Sequence, residues 1–205
     1  MQNGFDEHNV VLVFGDRGVP RPLSGLPAAP VDEPADVDGA ALGRRRLIVV
    51  GAESDLAAVL TRLLRTERLD LEVAFASGWL AARRARHGEA RRTPLIRDES
   101  GTVIVGRAQW SGTVPGAPLH GEAVVDDTVL FDGEVAGVCV EPTAEMPGLR
   151  AAVLSRRGRP GRWVAGRAAQ LGTTGAMLTR DGVAAQRPVR RSTFYRHTEG
   201  WLAVR

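Results

Sequence analysis

The 205-residue chain is 43% hydrophobic and 25% charged, enough to bury a core in one domain or in two small ones that share an interface. All 27 of its positive side chains are arginine, and the lack of lysine excludes Schiff-base chemistry, a P-loop ATPase and a protein kinase, each of which needs a lysine amine. The formal charge of +3 is uneven: the first 60 residues lean acidic, whereas Ala151 to Arg205 holds eleven arginines against two acids.

The start, Met1 to His8, is acidic and polar, and no apolar run reaches the roughly 18 residues of a membrane span, so the expectation is an unexported, cytoplasmic protein. Val10 to Phe14 is a β-branched run that ends at Gly15 and predicts a strand. Residues 17–43 are rich in Pro, Ala, Asp and Gly with no apolar period, which reads as a linker. Leu47 to Val50 is a continuous apolar run with the character of a buried parallel strand. Beyond it Leu56, Val59, Leu60, Leu63 and Leu64 follow the helical period, with Ser54 as the expected N-cap and Asp55 placed favourably against the helix dipole. Leu71 to Phe75 alternates as a third strand, so Arg46 to Phe75 spells one βαβ unit. A short helix over Ser77 to His87 would expose Arg83, Arg84 and Arg86.

From Thr93 the texture changes to short Val, Ile, Leu and Thr runs between turn signals. Hairpins are expected around Asp98 to Gly101, around Asp132-Gly133 and around Arg180-Asp181-Gly182, because Asp-Gly accepts the positive φ of tight turns. The fold class is therefore an α/β front end, βαβ and Rossmann-like, followed by an antiparallel strand-rich sandwich or barrel. The division is a partial nucleotide-binding-like domain over 1–92 and a β-rich domain over 93–205, the latter closed by a strand at Trp201 to Val204. Val105 to Gln109 also echoes Ala165 to Gln170, either by chance in an Ala/Gly/Arg-rich chain or as a pair of equivalent strands.

The turn Gly51-Ala52-Glu53-Ser54-Asp55, between strand and helix, is the first candidate site. Free N–H groups at such a turn can hold a phosphate, although this one has a single glycine and two carboxylates, and a plain turn is the other reading. In the back half Asp126, Asp127, Asp132 and Glu134 put four acids around one strand, a set that would bind Mg²⁺ or supply a base, or would simply mark a polar turn. His120 near Glu122, and Ser192 with Thr193 and His197, are weaker acid-base or nucleophile pairings. The lone Cys139 lies in an apolar run, which suits a buried thiol and excludes an internal disulfide. Arg187 to His197 mixes guanidinium groups with Phe194 and Tyr195; it reads as an anion or nucleic-acid contact, or as a strand with an arginine-rich outer face. Trp163 beside Arg162 permits the same two readings.

The segment RLIVVGAESDLAAVLTRLLRTERLDLEVAF, Arg46 to Phe75, resembles the part of diacylglycerol kinase and NAD kinase-like proteins where a strand ends in Gly-Gly-Asp-Gly-Thr and a helix follows. The resemblance implies a Rossmann-like domain joined to a strand-rich one, ATP and Mg²⁺ as cofactors, and a lipid or NAD substrate. Under it Gly51, Ala52, Glu53 and Ser54 are the cofactor-binding residues, with Asp126 and Asp127 as metal ligands and Asp132 and Glu134 as the catalytic acids. The loop departs from the motif: Gly51 stands at the first glycine, Ala52 at the second, Glu53 at the aspartate, Ser54 at the third glycine and Asp55 at the threonine. The implied function is a weak kinase or a nucleotide- or lipid-sensing protein with a degraded phosphate loop, with a homo-oligomer left open. The alternative is a non-enzymatic module that uses its basic C-terminal face for nucleic acid, acidic lipid or a protein partner.

Overall fold

The computed structural model describes residues 8–205; the acidic start, Met1 to Glu7, lies outside the described residues. The chain forms two compact units, Met1–Thr93 with Glu199–Arg205, and Pro94–Thr198.

The first unit is a six-stranded sheet. Its strands are β1 (Asn9–Phe14), β2 (Ala28–Val31), β3 (Arg46–Val50), β4 (Glu72–Phe75), β5 (Ala90–Thr93) and, from the end of the chain, β17 (Trp201–Val204). They lie in the order β2-β1-β3-β4-β17-β5, all neighbours parallel except β5 against β17. Every residue of β3 is buried, as its uninterrupted apolar run requires of a strand covered on both faces. Helix α1 spans Pro34–Ala41, α2 Glu53–Arg65 and α3 Trp79–His87. Leu56, Val59, Leu60 and Leu63 of α2 are buried, the stripe that the helical period predicts. Glu72 receives the Arg45 and Arg46 guanidiniums at 2.8 and 2.7 Å. Arg46 also donates to the carbonyls of Ala85, Arg86 and Gly88, and so satisfies the open C-terminus of α3.

Two expectations for this unit are corrected. Residues 17–43 are no linker: they contain a 3-10 turn at Arg21–Leu23, strand β2 and helix α1. The segment has few large apolar residues, and its order rests on burying Leu23, Leu26, Val31, Val37 and Ala41. Pro34 opens α1 where its missing N–H costs nothing, and Asp36 accepts the Asp32 and Glu33 N–H groups at 2.9 and 2.8 Å. Pro30 is tolerated in β2 because β2 is an edge strand. The closing strand Trp201–Val204, expected in the β-rich domain, enters this sheet between β4 and β5. Alternation announces a strand, but nothing in it names the partner.

The second unit is antiparallel. It comprises β6 (Ile96–Asp98), β7 (Val103–Ile104), β8 (Ala108–Ser111), β9 (Leu119–Val125), β10 (Thr128–Val135), β11 (Gly137–Pro142), β12 (Leu149–Val153), β13 (Val164–Gly166), β14 (Ala168–Arg180), β15 (Val183–Ala184) and β16 (Val189–Arg196). The long β14 carries the architecture: its first half pairs with β9 and β16, and its second half with β8 and β15, after a register shift between Gly172 and Ala176. The two halves of the sheet face a shared core in which Trp110, Phe194, Leu119, Ile96 and Ile104 are fully buried. The Asp181-Gly182 turn has positive φ at both residues, as a two-residue Asp-Gly hairpin requires.

The Asp132-Gly133 turn is a third correction. Both residues lie within β10, where Gly133 is paired with Gly121 of β9. The hairpin turns instead at Asp126-Asp127, with Asp126 at φ +48°. Asp and Asn are the side-chain-bearing residues that best accept this conformation, so the more glycine-like signal lost to an adjacent acidic pair.

Candidate functional site

In the first unit the loop after β3 enters α2 through Ala52, the residue in the N-cap position, with extended φ and ψ of −90° and 173°. Ser54 lies inside the first turn of the helix and is not the cap, contrary to expectation. Ala52 has no side-chain acceptor for the first-turn N–H groups, and Asp55 makes the other half of a capping box: its Oδ2 accepts the Ala52 N–H at 2.6 Å. The same oxygen lies 3.5 Å from Arg17 Nη1. A Cβ on Gly51 would stand 2.5 Å from Asp55 Oδ2 and 2.8 Å from its Cβ, so the glycine makes room for this fold-back. Glu53, at the first helical position, is exposed. The N-terminal end of α2, where a phosphate would be drawn by the dipole and open N–H groups, thus already holds the chain's own carboxylate.

In the second unit the four predicted acids divide into two pairs. Asp126 and Asp127 are exposed at the β9–β10 turn. The Asp126 carboxylate accepts the N–H groups of Arg167 and Ala168 at 3.0 and 2.9 Å, and its own N–H donates to the Ala168 carbonyl. The Asp181 turn repeats this device: its carboxylate accepts the N–H groups of Val105, Gly106 and Arg107, and its N–H donates to the Arg107 carbonyl. The echo of Val105–Gln109 in Ala165–Gln170 therefore has a structural meaning, since each Gly-Arg-Ala is the strand entry that a hairpin aspartate holds. At Gly166 a Cβ would come within 2.8 Å of Asp126 Oδ2, which accounts for the glycine.

Asp132 and Glu134 alternate on β10 opposite Glu122 and His120 of β9, and all four are exposed on one face. Three carboxylates side by side repel one another unless a cation or proton intervenes. Among the described residues no three His, Cys, Asp or Glu side chains are grouped as for a metal ion. Ser192 and His197 do not form a nucleophile and base: Ser192 is buried and its Oγ accepts the Trp110 indole N–H at 3.0 Å, while Arg97 Nε lies 3.3 Å from His197 Nδ1.

The aromatics of the C-terminal segment are occupied. Phe194 is fully buried 5.7 Å from the Trp110 ring centre, and the Arg97 guanidinium covers Tyr195 at 4.5 Å. Arg190 and Arg191 remain exposed. Sequence reading missed Glu141, which accepts both Arg107 and Arg150. Burial works to raise its carboxyl, but the hydrogen bonds from Arg150 and Arg107 outweigh it and hold the group below its usual range. Arg150 in turn lies 4.2 Å over Trp163. Cys139 is buried, and burial pushes its thiol up, as suits an unreactive core residue.

With this geometry in view, the chain aligns along nearly its whole length with solved kinases of one fold. A diacylglycerol kinase from Bacillus anthracis superposes with a TM-score of 0.73 at 12% identity, covering 97% of this chain and 96% of that one. An NAD kinase from Archaeoglobus fulgidus, solved in complex with ATP, gives 0.63 at 11% identity over 96% and 93%. A yeast NADH kinase complexed with NADH gives 0.58 at 12% identity over 96% and 83%. The chain has the diacylglycerol kinase and NAD kinase fold: a mostly parallel sheet with helices between its strands, followed by a large antiparallel sheet. No family model and no curated protein matches the sequence. Among the described residues no helix is long and apolar enough to cross a membrane.

Proposed function

We propose that this chain is a kinase-fold protein with a degraded phosphate loop, a nucleotide- or lipid-sensing protein or weak kinase and not an efficient phosphotransferase. The observation that carries the reading is the Asp55 carboxylate on the Ala52 N–H at 2.6 Å. A triphosphate approaching the α2 N-terminus would have to displace a charge-assisted hydrogen bond and then face Glu53 and Asp55. Under this reading Gly51, Ala52, Glu53 and Ser54 form a vestigial nucleotide rim. Within the first unit Glu53 is the carboxylate that a Mg²⁺ ion at this rim would use; within the second, Asp126 and Asp127 are the metal ligands of this reading, and Asp132 and Glu134 stand in the place of a base. The fold supports the nucleotide part of the proposal through the NAD kinase that was solved with ATP.

The test is calorimetric titration of ATP with and without Mg²⁺ into the full chain and into Asp55→Asn and Glu53→Gly. Weak or no heat with the unmodified protein, and a gain in affinity in the variants, is the expected result. Micromolar affinity in the unmodified protein overturns the degraded-loop reading.

A second reading, a non-enzymatic module using the basic C-terminal face, is favoured by the exposed Arg190 and Arg191 on β16. It predicts ATP-independent, salt-sensitive binding of polyanions that is lost in R190Q/R191Q.

A further inference from the structure

The stretch between Glu145 and Asp181 contains no carboxylate and seven arginines, at 150, 156, 157, 159, 162, 167 and 180. Arg150 is held by Glu141 and Arg180 by Asp98. Four of the others crowd into the hairpin that joins β12 to β13, Ser155-Arg156-Arg157-Gly158-Arg159-Pro160-Gly161-Arg162. The backbone of the tip is ordered: the Ser155 N–H donates to the Arg159 carbonyl at 2.9 Å and the Gly158 N–H to the Ser155 carbonyl at 2.8 Å. The Ser155 hydroxyl also accepts the Arg159 N–H at 3.1 Å. Gly158 has φ +71°, and nothing lies within 4 Å of where its Cβ would be, so the tip is open and carries no side chain at that point. Arg156, Arg157, Arg159 and Arg162 are exposed, and among the described residues none has an ion-pair or hydrogen-bond partner for its guanidinium. The hollow beside the tip, about 640 Å³ and walled in part by Arg156 and Gly158, has Glu134 as its one carboxylate.

We propose that this hairpin is a binding site for duplex DNA, placed in the minor groove. Four guanidiniums within seven residues repel one another unless a repeating anion meets them, and a phosphate backbone supplies that repeat. A single strand is disfavoured because it needs open aromatic rings on which to stack. Trp163, the aromatic next to the tip, is half-buried under Arg150. A membrane surface is disfavoured because Ser155 to Arg162 offers only Pro160 to the apolar layer, where an interfacial anchor uses Trp, Phe or Leu. The minor groove is favoured by shape: a narrow tip with glycine between flanking arginines suits the groove whose negative potential draws arginine most strongly, that of A·T tracts. This site is independent of the phosphate-loop reading and stands or falls without it.

The test is fluorescence anisotropy of the full chain with an A·T-tract duplex of about 20 base pairs, in about 50 to 200 mM salt. Four phosphate contacts predict a slope of log K against log salt of about −3 to −4. The variant R156Q/R157Q/R159Q/R162Q is expected to lose at least about 100-fold in affinity at the lowest salt and most of that slope, while its melting temperature stays unchanged. R83Q/R84Q, at two exposed arginines of α3 outside the hairpin, is expected to bind as the unmodified chain does. An A·T duplex should compete at least about tenfold better than a G·C duplex. The proposal is overturned by no binding at the lowest salt, by full binding in the quadruple variant, by loss in R190Q/R191Q instead, or by equal affinity for a G·C duplex, a single strand or phosphatidylglycerol vesicles.

Discussion

The N-terminus of α2 and the β12–β13 hairpin tip are opposite electrostatic cases. At α2 the N–H of the N-cap residue is met by a carboxylate from the same helix, with Arg17 beside it, so the entry of the helix already carries a negative charge of its own. At the tip four guanidiniums stand without a carboxylate of their own. Elsewhere the chain follows the first pattern: Glu72, Asp98, Asp126, Glu141 and Asp181 each hold backbone N–H groups or arginines. A place with the outline of an anion site thus need not receive an anion from outside. Like charge gathered in one turn with no carboxylate among it is the better pointer to a partner.

This contrast is tested most severely by removing the buried carboxylates. Asp98 is fully buried, accepts the Ser100 N–H and hydroxyl and the Thr102 N–H, and pairs with Arg180. Asp98→Ala strands Arg180 and is expected to cost about 3 to 5 kcal/mol; Glu72→Ala, which removes the counter-charge of Arg46 but leaves its three carbonyl partners, is expected to cost about 3 kcal/mol. Denaturant unfolding measures both, and a loss below about 1 kcal/mol would show that these carboxylates are not what balances the core. The hairpin aspartates come next. Asp181→Ala frees three N–H groups and is expected to cost about 1 to 3 kcal/mol, whereas the more exposed Asp126→Ala should cost about 1 kcal/mol. A reversed order would break the equivalence of the two strand entries.

How much of this was legible follows from how local each feature is. The β3–α2–β4 unit was readable because its apolar period is unbroken over Arg46 to Phe75 and its contacts join neighbours in sequence. Residues 17–43 were not, because alanine and proline give little period, although Pro34 followed by Asp36 is a helix-start signal that was there to be used. Strand β17 pairs with β4 from the far end of the chain, and no local pattern specifies such a pairing. The acids at Glu53 and Asp55 were visible as obstacles to a phosphate, but the fold-back of Asp55 onto Ala52 depends on helix geometry and on the bare Cα of Gly51. The acid-free stretch before Asp181 is plain in the sequence; that its four hairpin arginines are unpaired is a property of the folded hairpin.

A milder test concerns Asp55 itself. Asp55→Ala removes the acceptor of the Ala52 N–H and is expected to cost about 1 kcal/mol, within the usual range for losing a helix cap. The same change removes one carboxylate from the path of a phosphate, a repulsion of about 1 to 4 kcal/mol at roughly 4 Å near a protein surface. ATP affinity should therefore rise by roughly tenfold to a thousandfold while stability falls. If both fall together, Asp55 shapes the loop more than it blocks it.

The smallest expected effect concerns Glu141, the carboxylate that keeps the second unit's basic region from being larger. Arg150 and Arg107 hold its carboxyl below the ordinary value of 4.5, so the folded state binds that proton less readily than the unfolded state does. The resulting stability is present in full above pH 4.5 and is lost as pH falls through the lowered folded value. Both arginine side chains are nearly half exposed, so solvent screening limits the contribution to about 1 kcal/mol or less. Glu141→Gln should accordingly unfold slightly more easily than the unmodified chain at neutral pH, with the gap closing as pH falls below the ordinary carboxylate range. The variant also releases Arg150 beside Trp163 and adds an unbalanced cation next to the hairpin. DNA affinity at neutral pH should rise severalfold, with a salt slope steeper by up to about 1. A variant that loses stability but leaves the slope unchanged would place the end of the DNA-binding surface at the tip itself, short of Arg150.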